Sequence, residues 1–386
     1  MSIIGTRAEI HLDAIAHNLQ ELRRITRPES SIMAVVKADG YGHGAMEIAK
    51  TALNKGANAL GVARLIEGIK LRESGIDKPI LIFGYTPPDD TDKLLYYNLT
   101  QTIGYPELAE RYSHAAGKQG ATLKAHLKID SGMGRLGFLI DPLSAENQEN
   151  MYSRLIQKIS AIIRLPHLFI EGIYTHFASA DHRDKTIAIR QFALFRNLLD
   201  QLSRTTSFQA MIHHAANSAA IIDMPETHMD MVRAGIALYG LYPSQEMDRE
   251  KINLRPVMEL KTNILHLKKV PKGFSVSYGG TWKAPKQTII ATIPLGYADG
   301  YSRLLSSKGF MLVCGKKAPV VGRVCMDLIM LDVGEIPEAC INDEVVVFGK
   351  QNAASIAVDE IAETIGTINY EIVSTISSRV PRIFHE

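Results

Sequence analysis

Ala34-Val35-Val36-Lys37-Ala38-Asp39-Gly40-Tyr41-Gly42-His43-Gly44 carries an apolar run into a lysine and then into a turn with glycine at 40, 42 and 44. Glycines so closely spaced let backbone approach a bulky ligand. A lysine at the carboxyl end of a strand in an α/β chain also points toward the face where such folds hold their sites. Standing alone, the cluster would read as an ordinary strand-to-helix turn with a solvated lysine, so its surroundings decide.

Outward from this segment, short apolar runs alternate with longer helical patterns from about residue 30 to about residue 240, the rhythm of βα units. Strands are expected over 31–37, 57–63, 79–84, 99–104, 122–130, 168–176, 208–215 and 229–238, with helices between them such as 106–120, opened by proline and closed by glycine, and 145–165. Eight strands is the number a closed (β/α)8 TIM-like barrel requires, while alternation alone also allows a doubly wound open sheet. Beyond about residue 245 the pattern changes to Val-, Ile- and Thr-rich strands without long helices, over 261–270, 287–294, 310–314, 318–324, 328–333 and 344–348. The expected organisation is a barrel over 1–245 and a mostly β domain over 246–386. A strand over 6–13, before a helix capped by Asp13, is expected to join the second domain.

A chain of 386 residues exceeds what one small core needs, which agrees with two domains. Lys and Arg number 43 against 41 Asp and Glu, with no basic run, so there is no electrostatic footprint for nucleic acid and a small-molecule partner is the natural one. Cys314, Cys325 and Cys340 form no CxxC pair, which argues against a disulfide framework or structural zinc and fits a reducing compartment. The opening Met1-Ser2-Ile3-Ile4-Gly5-Thr6-Arg7 turns polar too early for a secretory signal, and no apolar run reaches membrane-spanning length, so a cytoplasmic protein is expected.

Two local patterns compete with these readings. Gly132-Met133-Gly134-Arg135-Leu136-Gly137 satisfies GxGxxG after an expected strand, but it lies deep in the alternating region and its Arg-Leu pair is a poor helix opening, so a dinucleotide fold is discounted. The neighbours His213 and His214 suggest a metal pair, yet adjacent strand residues face opposite ways, and no metal is expected.

Further segments extend the pattern: Lys128-Ile129-Asp130-Ser131 ahead of the GxGxxG run, Tyr174-Thr175-His176-Phe177-Ala178, His214-Ala215-Ala216-Asn217-Ser218 and Met231-Val232-Arg233-Ala234-Gly235-Ile236. The later half adds Ser275-Val276-Ser277-Tyr278-Gly279-Gly280, Leu295-Gly296-Tyr297-Ala298-Asp299-Gly300, Val324-Cys325-Met326-Asp327 and Ile368-Asn369-Tyr370-Glu371. Over nearly its whole length the chain resembles the alanine racemase family. That resemblance implies pyridoxal 5′-phosphate as cofactor, with Lys37 as the lysine that binds it as a Schiff base and His176 facing its ring. Arg233 is then at the pyridine nitrogen, Tyr41, Asn217, Ser218, Tyr370 and the amides of Gly235 and Ile236 at the phosphate, and His214 in support. Arg135 and the Met326 amide are implied at the substrate carboxylate, and Tyr297 and Asp327 at the entrance.

Racemisation removes a proton from one face of the α-carbon and returns one to the other, which one lysine cannot easily do. The resemblance implies two bases, Lys37 for the D-isomer and Tyr278 for the L-isomer, with Tyr278 entering from the partner subunit of a homodimer. Tyrosine ionises near pH 10, about three units above neutrality, so positive charge from His176 and Arg233 is expected to assist it. A guanidinium at the ring nitrogen keeps that nitrogen unprotonated and weakens the electron sink, which disfavours transamination. Lys128 is expected to be carbamylated and to orient Arg135, the alternative being an unmodified lysine paired with Asp130. The ring of tyrosines favours a methyl side chain, and the family role is D-alanine supply for peptidoglycan.

Four relatives in chemistry mark the edges of this reading. Barrel decarboxylases pair the ring nitrogen with an acid where this chain has Arg233, small pyridoxal-phosphate homeostasis proteins lack a domain carrying Tyr278, and zinc-assisted dehydratases show a His-x-Cys pair absent here. A racemase of broader substrate range shares the most with it.

Overall fold

Strand β1 (Arg7–His11) and a helix at Leu12–Ile25 lead the computed structural model, which describes residues 5–141, 148–204 and 211–386. The chain continues through β2 (Ser31–Val35), β3 (Ala59–Val62), β4 (Ile80–Ile82), β5 (Thr100–Ile103), β6 (Leu123–Asp130), the two-residue β7 (Phe138–Leu139) beside β6, β8 (Leu168–Tyr174), β9 (Ile212–His214) and β10 (Met231–Ala234). Apart from β7, these form a ring of eight parallel strands in the order β2-β3-β4-β5-β6-β8-β9-β10, closed where β10 pairs with β2. The alternation expected from sequence therefore resolves to the closed barrel and not to the open sheet.

Strands covered on both faces read as continuous apolar runs, and β3 and β4 are buried at every residue. Met33, Ala59, Leu81 and Met231 form one buried cluster that draws on four strands and no helix, as an interior layer of a barrel does. The helix Thr186–Leu202 buries Ala188, Phe192, Phe195, Leu199 and Leu202, the spacing of a single helical face. The helix expected over 106–120 runs from Pro106 to Gly117, and the one expected over 145–165 is described from Gln148 to Ile163. Residues 145–147 of that expectation, and 208–210 of the seventh strand, lie outside the described residues.

The barrel unit comprises 15–40 and 45–255; a second unit gathers 5–14, 41–44 and 256–386. The division at Arg255 and Pro256 falls later than the expected 245/246, and the Tyr41–Gly44 segment of the lysine motif groups with the second unit. In that unit β1 runs antiparallel to Met258–Asn263 and parallel to Arg382–His385, within a sheet that continues through Glu344–Gln351, Phe310–Val313 and Lys316–Pro319. A separate antiparallel sheet joins His266–Val270, Thr288–Ile293 and Ile329–Asp332.

The single strand expected over 261–270 is two strands, because the chain changes partners: Met258–Asn263 pairs with Glu344–Gln351, whereas His266–Val270 pairs with Thr288–Ile293. The strand expected over 318–324 stops at Pro319, and Val320 adds only an isolated bridge to Leu331. Asp13 lies inside the first turn of its helix and does not precede it. Two helices, Val358–Ile365 and Asn369–Ser374, interrupt a region expected to be strands and loops. Among the described residues no helix is long and apolar enough to cross a membrane.

Ion pairs hold β1 in its sheet. Lys261 Nζ lies 2.7 Å from both Glu9 and Glu259, and Arg7 Nη2 lies 2.8 Å from Glu344. Burial pushes the Glu259 carboxyl up, but hydrogen bonds from His11 and Lys261 hold it down to about 2. A carboxyl depressed in the folded state stabilises above its unfolded value near 4.3 and loses that contribution as pH falls through the folded value. Glu259→Gln is therefore expected to lower the melting temperature most at pH 7, with the gap from wild type closing as pH falls toward 2 in calorimetric scans.

Candidate active site

Lys37 stands just beyond the carboxyl end of β2, where Val36 N donates to Gly61 O at 2.9 Å. The chain then passes through five consecutive residues of positive φ, Ala38 at 52°, Asp39 at 53°, Gly40 at 61°, Tyr41 at 52° and Gly42 at 84°. Left-handed backbone costs an L-residue about 1–2 kcal/mol, so this turn needs holding. Gly40 N donates to Val36 O at 2.9 Å, and Asp39 Oδ1 accepts from Ala45 N at 2.9 Å. Glu67, in the first turn of the helix Leu65–Glu73, accepts from Ala38 N at 2.6 Å through one oxygen and from Ala63 N and Arg64 N at 2.8 Å through the other. One carboxylate thus ties the lysine turn to the loop after β3. Burial and the nearby Arg135 charge lower the Lys37 ammonium pKa, with Glu67 opposing.

Arg233, on β10, is 4% exposed and donates in several directions at once. Its Nη2 lies 2.9 Å from Thr175 O, 2.9 Å from Ala215 O and 3.1 Å from His176 Nδ1, and its Nη1 lies 2.9 Å from His214 Nδ1. A guanidinium has no lone pair to offer, so both imidazoles must accept through Nδ1. Burial first, and the Arg233 charge second, push His176 and His214 well below the ordinary imidazole value. Both rings are neutral at pH 7 and carry their proton on Nε2. Burial alone brings Arg233 down to about 10. His214 stacks on Tyr174 at 4.6 Å between ring centres, and Tyr174 Oη meets Thr102 Oγ1 at 2.9 Å.

Lys128, on β6, is 5% exposed, with its Nζ 4.4 Å from the centre of the Tyr174 ring. Burial, then Arg233, then Arg135 depress its pKa well below the lysine range, with Asp130 opposing. The alternative pairing with Asp130 is not made. Asp130 Oδ1 accepts from the amides of Gly132, Met133 and Gly134 at 2.8–3.1 Å, and Oδ2 accepts from Arg135 N at 3.2 Å, so both oxygens organise the loop that presents Arg135. The Arg135 side chain is exposed.

After β9, Asn217 caps the helix Ser218–Asp223 by accepting from Ala220 N at 3.0 Å. Ser218 Oγ accepts from Gly235 N at 2.9 Å and Ala237 N at 3.3 Å, which leaves the hydroxyl's own hydrogen free to donate. Ser218 therefore joins the turn after β9 to the turn after β10, where Gly235 precedes the 3-10 segment Ile236–Tyr239.

The remaining expected residues belong to the second unit. Tyr41 is buried, with its ring 6.1 Å from that of Tyr370. Tyr278 is 69% exposed, Met326 53% and Tyr297 43%. The 323–327 segment ties these together: Ser277 Oγ donates to Arg323 O at 2.6 Å, Tyr297 N to Cys325 O at 3.0 Å, and Ala298 N to Met326 O at 3.1 Å. Gly296 permits that approach, since a Cβ there would lie 2.0 Å from Met326 O. Asp327 pairs with Arg379 at 2.8 Å. His176 and Arg233, the cations expected to assist Tyr278, belong to the barrel unit, and His176 is neutral.

Sequence reasoning missed Glu67 and the packing role of Tyr174, and it gave Asp130 only as a partner for Lys128. A glutamate two residues into a helix that follows an apolar strand is a capping signal, but nothing in that pattern shows its reach to Ala38.

The family described as alanine racemase, N-terminal domain, matches residues 10–243, and the alanine racemase C-terminal domain matches 257–384. The alanine racemase of Desulfosudis oleivorans is 52% identical over 385 residues, covering 100% of this chain and 97% of that protein. That of Methanococcus maripaludis is 47% identical over 98% of each chain. Among solved structures, the alanine racemase of Clostridium difficile 630 superposes with a TM-score of 0.92 at 38% identity, covering 100% of this chain and 97% of that one. The Bacillus anthracis alanine racemase with bound L-Ala-P gives 0.89 at 37% identity, covering 100% and 96%.

Glu67→Gln retains one carbonyl oxygen where the carboxylate used two, and it removes a charge that holds the Lys37 pKa up. It is expected to cost about 1–3 kcal/mol in denaturant unfolding. The midpoint for reductive methylation of Lys37 is expected to move to lower pH, a direction read by carbon-13 NMR of the methylated amine.

Proposed function

Since the chain belongs to the alanine racemase family, we propose that it interconverts L-alanine and D-alanine, with pyridoxal 5′-phosphate held at the strand ends of its barrel. The observation that carries the reading is Arg233, a fixed cation among acceptors at the end of β10, in the same unit as a lysine whose ammonium is destabilised. The donor set suits this cofactor. Lys37 offers an amine for the aldehyde, Arg233 keeps N–H groups beyond those it spends on protein acceptors, and Ser218 has a hydroxyl hydrogen to give an anion. When bound, pyridoxal phosphate stabilises the electron pair left at the α-carbon as its proton departs.

Lys37 Nζ holds the cofactor at rest and then exchanges the α-proton of D-alanine. Tyr278 Oη does the same for L-alanine from the opposite face. The exposure of Tyr278 supports its insertion into a second copy's site, so the proposed catalytic unit is a homodimer. Arg233 donates toward the ring nitrogen and keeps it unprotonated, while neutral His176 faces the ring. Ser218, the amides of Gly235 and Ile236, Tyr41 and Tyr370 take the phosphate, with Asn217 acting through the helix it caps and His214 through Arg233. Arg135 and the Met326 amide receive the substrate carboxylate, and Tyr297 and Asp327 narrow the entrance to a methyl-bearing substrate. Lys128, buried and with its ammonium disfavoured, is suited to add carbon dioxide, and the resulting carbamate would orient Arg135. Cytoplasmic supply of D-alanine for peptidoglycan is the proposed role.

Purified protein given pyridoxal phosphate is expected to absorb near about 420 nm, and to exchange the α-proton and invert alanine in deuterium oxide faster than serine or lysine. Tyr278→Phe is expected to lose about 10²–10⁴-fold in inversion rate. Full turnover in that variant, or a colourless protein, overturns the reading. In bicarbonate buffer the peptide carrying Lys128 is expected to be heavier by one carbon dioxide under non-acidic mass analysis; a bare amine there rejects the carbamate.

A further inference from the structure

Arg233 is the first donor in a polar line that runs through His214 and His126 to Glu171. Its Nη1 requires a lone pair on His214 Nδ1, so His214 carries its proton on Nε2. That Nε2 lies 2.9 Å from His126 Nδ1, which must therefore accept, so the His126 proton sits on Nε2. His126 Nε2 faces Glu171 Oε1 at 3.7 Å, and the same oxygen accepts from Thr100 Oγ1 at 2.7 Å. A carboxylate only accepts, just as a guanidinium only donates, so the Arg233 end orients the hydrogen bonds through His214 to His126, and the Glu171 charge, in electrostatic contact at 3.7 Å, favours the same direction. Both imidazoles are buried, His214 at 0% and His126 at 3% exposure, so bulk solvent does not reach them.

The backbone is shaped for this line. In the pairing of β6 with β8, Ala125 stands opposite Ile170 and His126 opposite Gly172, so Glu171 is the extra residue of a bulge. Bulges re-aim side chains, and this one falls at the carboxylate. Gly172 leaves room for the His126 ring, since a Cβ there would lie 2.4 Å from Cε1 and 2.5 Å from Nδ1.

We propose that Glu171 and His126 are positioning residues that fix the tautomer of His214 and thereby aim Arg233 at the ring nitrogen of the cofactor. The proposal rests on the function given above for what Arg233 meets, and on the protein alone for the tautomers. Without an acceptor at 171, the Nε2–H tautomer of His126 is held from the Arg233 end alone and loses its second support. The line can then reverse, turning an N–H of His214 against the guanidinium.

The test is two-bond nitrogen–proton correlation NMR on the [¹⁵N]histidine-labelled full chain, with and without pyridoxal phosphate, alongside alanine kinetics. His126 and His214 are expected as neutral Nε2–H tautomers in wild type and in Glu171→Gln, whose carbonyl still accepts. In Glu171→Leu, His126 is expected to gain an Nδ1–H population. For that variant, kcat should fall about tenfold with KM changing less than about twofold, and pyruvate formed by amino transfer to the cofactor should rise about tenfold per inversion, near the lower end of what outer hydrogen-bond partners supply. A wild-type His214 that is doubly protonated or carries its proton on Nδ1 overturns the proposal whether or not any variant folds. Unchanged tautomers in Glu171→Leu, or equal damage in Glu171→Gln, overturn it as well. Absence of alanine inversion defeats the functional reading instead, and the tautomer pattern still judges the proposal.

Discussion

A guanidinium gives hydrogen bonds and cannot receive them, and burying one at the end of β10 dictates what every neighbour must be. Arg233 is met by the carbonyls of Thr175 and Ala215 and by two imidazole lone pairs. Its permanent charge, in surroundings with little water, discourages any second cation. His176, His214 and Lys128 are all driven toward their neutral forms, by burial first and Arg233 next. Burial and one fixed charge together bias the protonation of the groups around it. A disfavoured ammonium at Lys128 and lone pairs at both histidines follow from that arrangement.

The barrel supplies the geometry. Parallel strands covered by helices deliver their carboxyl ends to one face, and Lys37, Asp130, His176, Asn217 and Arg233 each lie at or just beyond the end of a different strand. The local cost is paid in backbone strain after β2, where non-glycine residues take left-handed angles. Glu67 and Asp130 are the counterparts: each spends a carboxylate on several amides, one holding the turn that carries Lys37 and the other the loop that carries Arg135.

Much of this was legible in the sequence, for physical reasons. Strands buried on both sides, such as Ala59–Val62 and Ile80–Ile82, read as apolar runs between helical patterns, while Thr100–Ile103 and Ile212–His214 carry polar residues and were placed by the βα rhythm around them. The second unit was harder. Its strands are short, and Met258–Asn263 and His266–Val270 look continuous because a change of partner leaves no mark on hydrophobicity. The candidate residues lay in recognisable segments, but their supporters did not. Glu171 reads as one more polar position in a strand, and only the bulge that displaces it and the ring of His126 beside Gly172 show where it points. Glu67 likewise reads as a helix start, since its contact with Ala38 bridges two separate βα turns.

The pairing of β1 also bears on the order in which the chain can mature. This strand precedes the whole barrel in sequence, yet its two neighbours, Met258–Asn263 and Arg382–His385, both follow it. During synthesis the nascent segment must wait, edges bare, while the intervening barrel emerges and collapses, because domains fold as units from the amino end. Completion of the second unit therefore cannot precede synthesis of Arg382–His385, which follow every barrel strand in the chain.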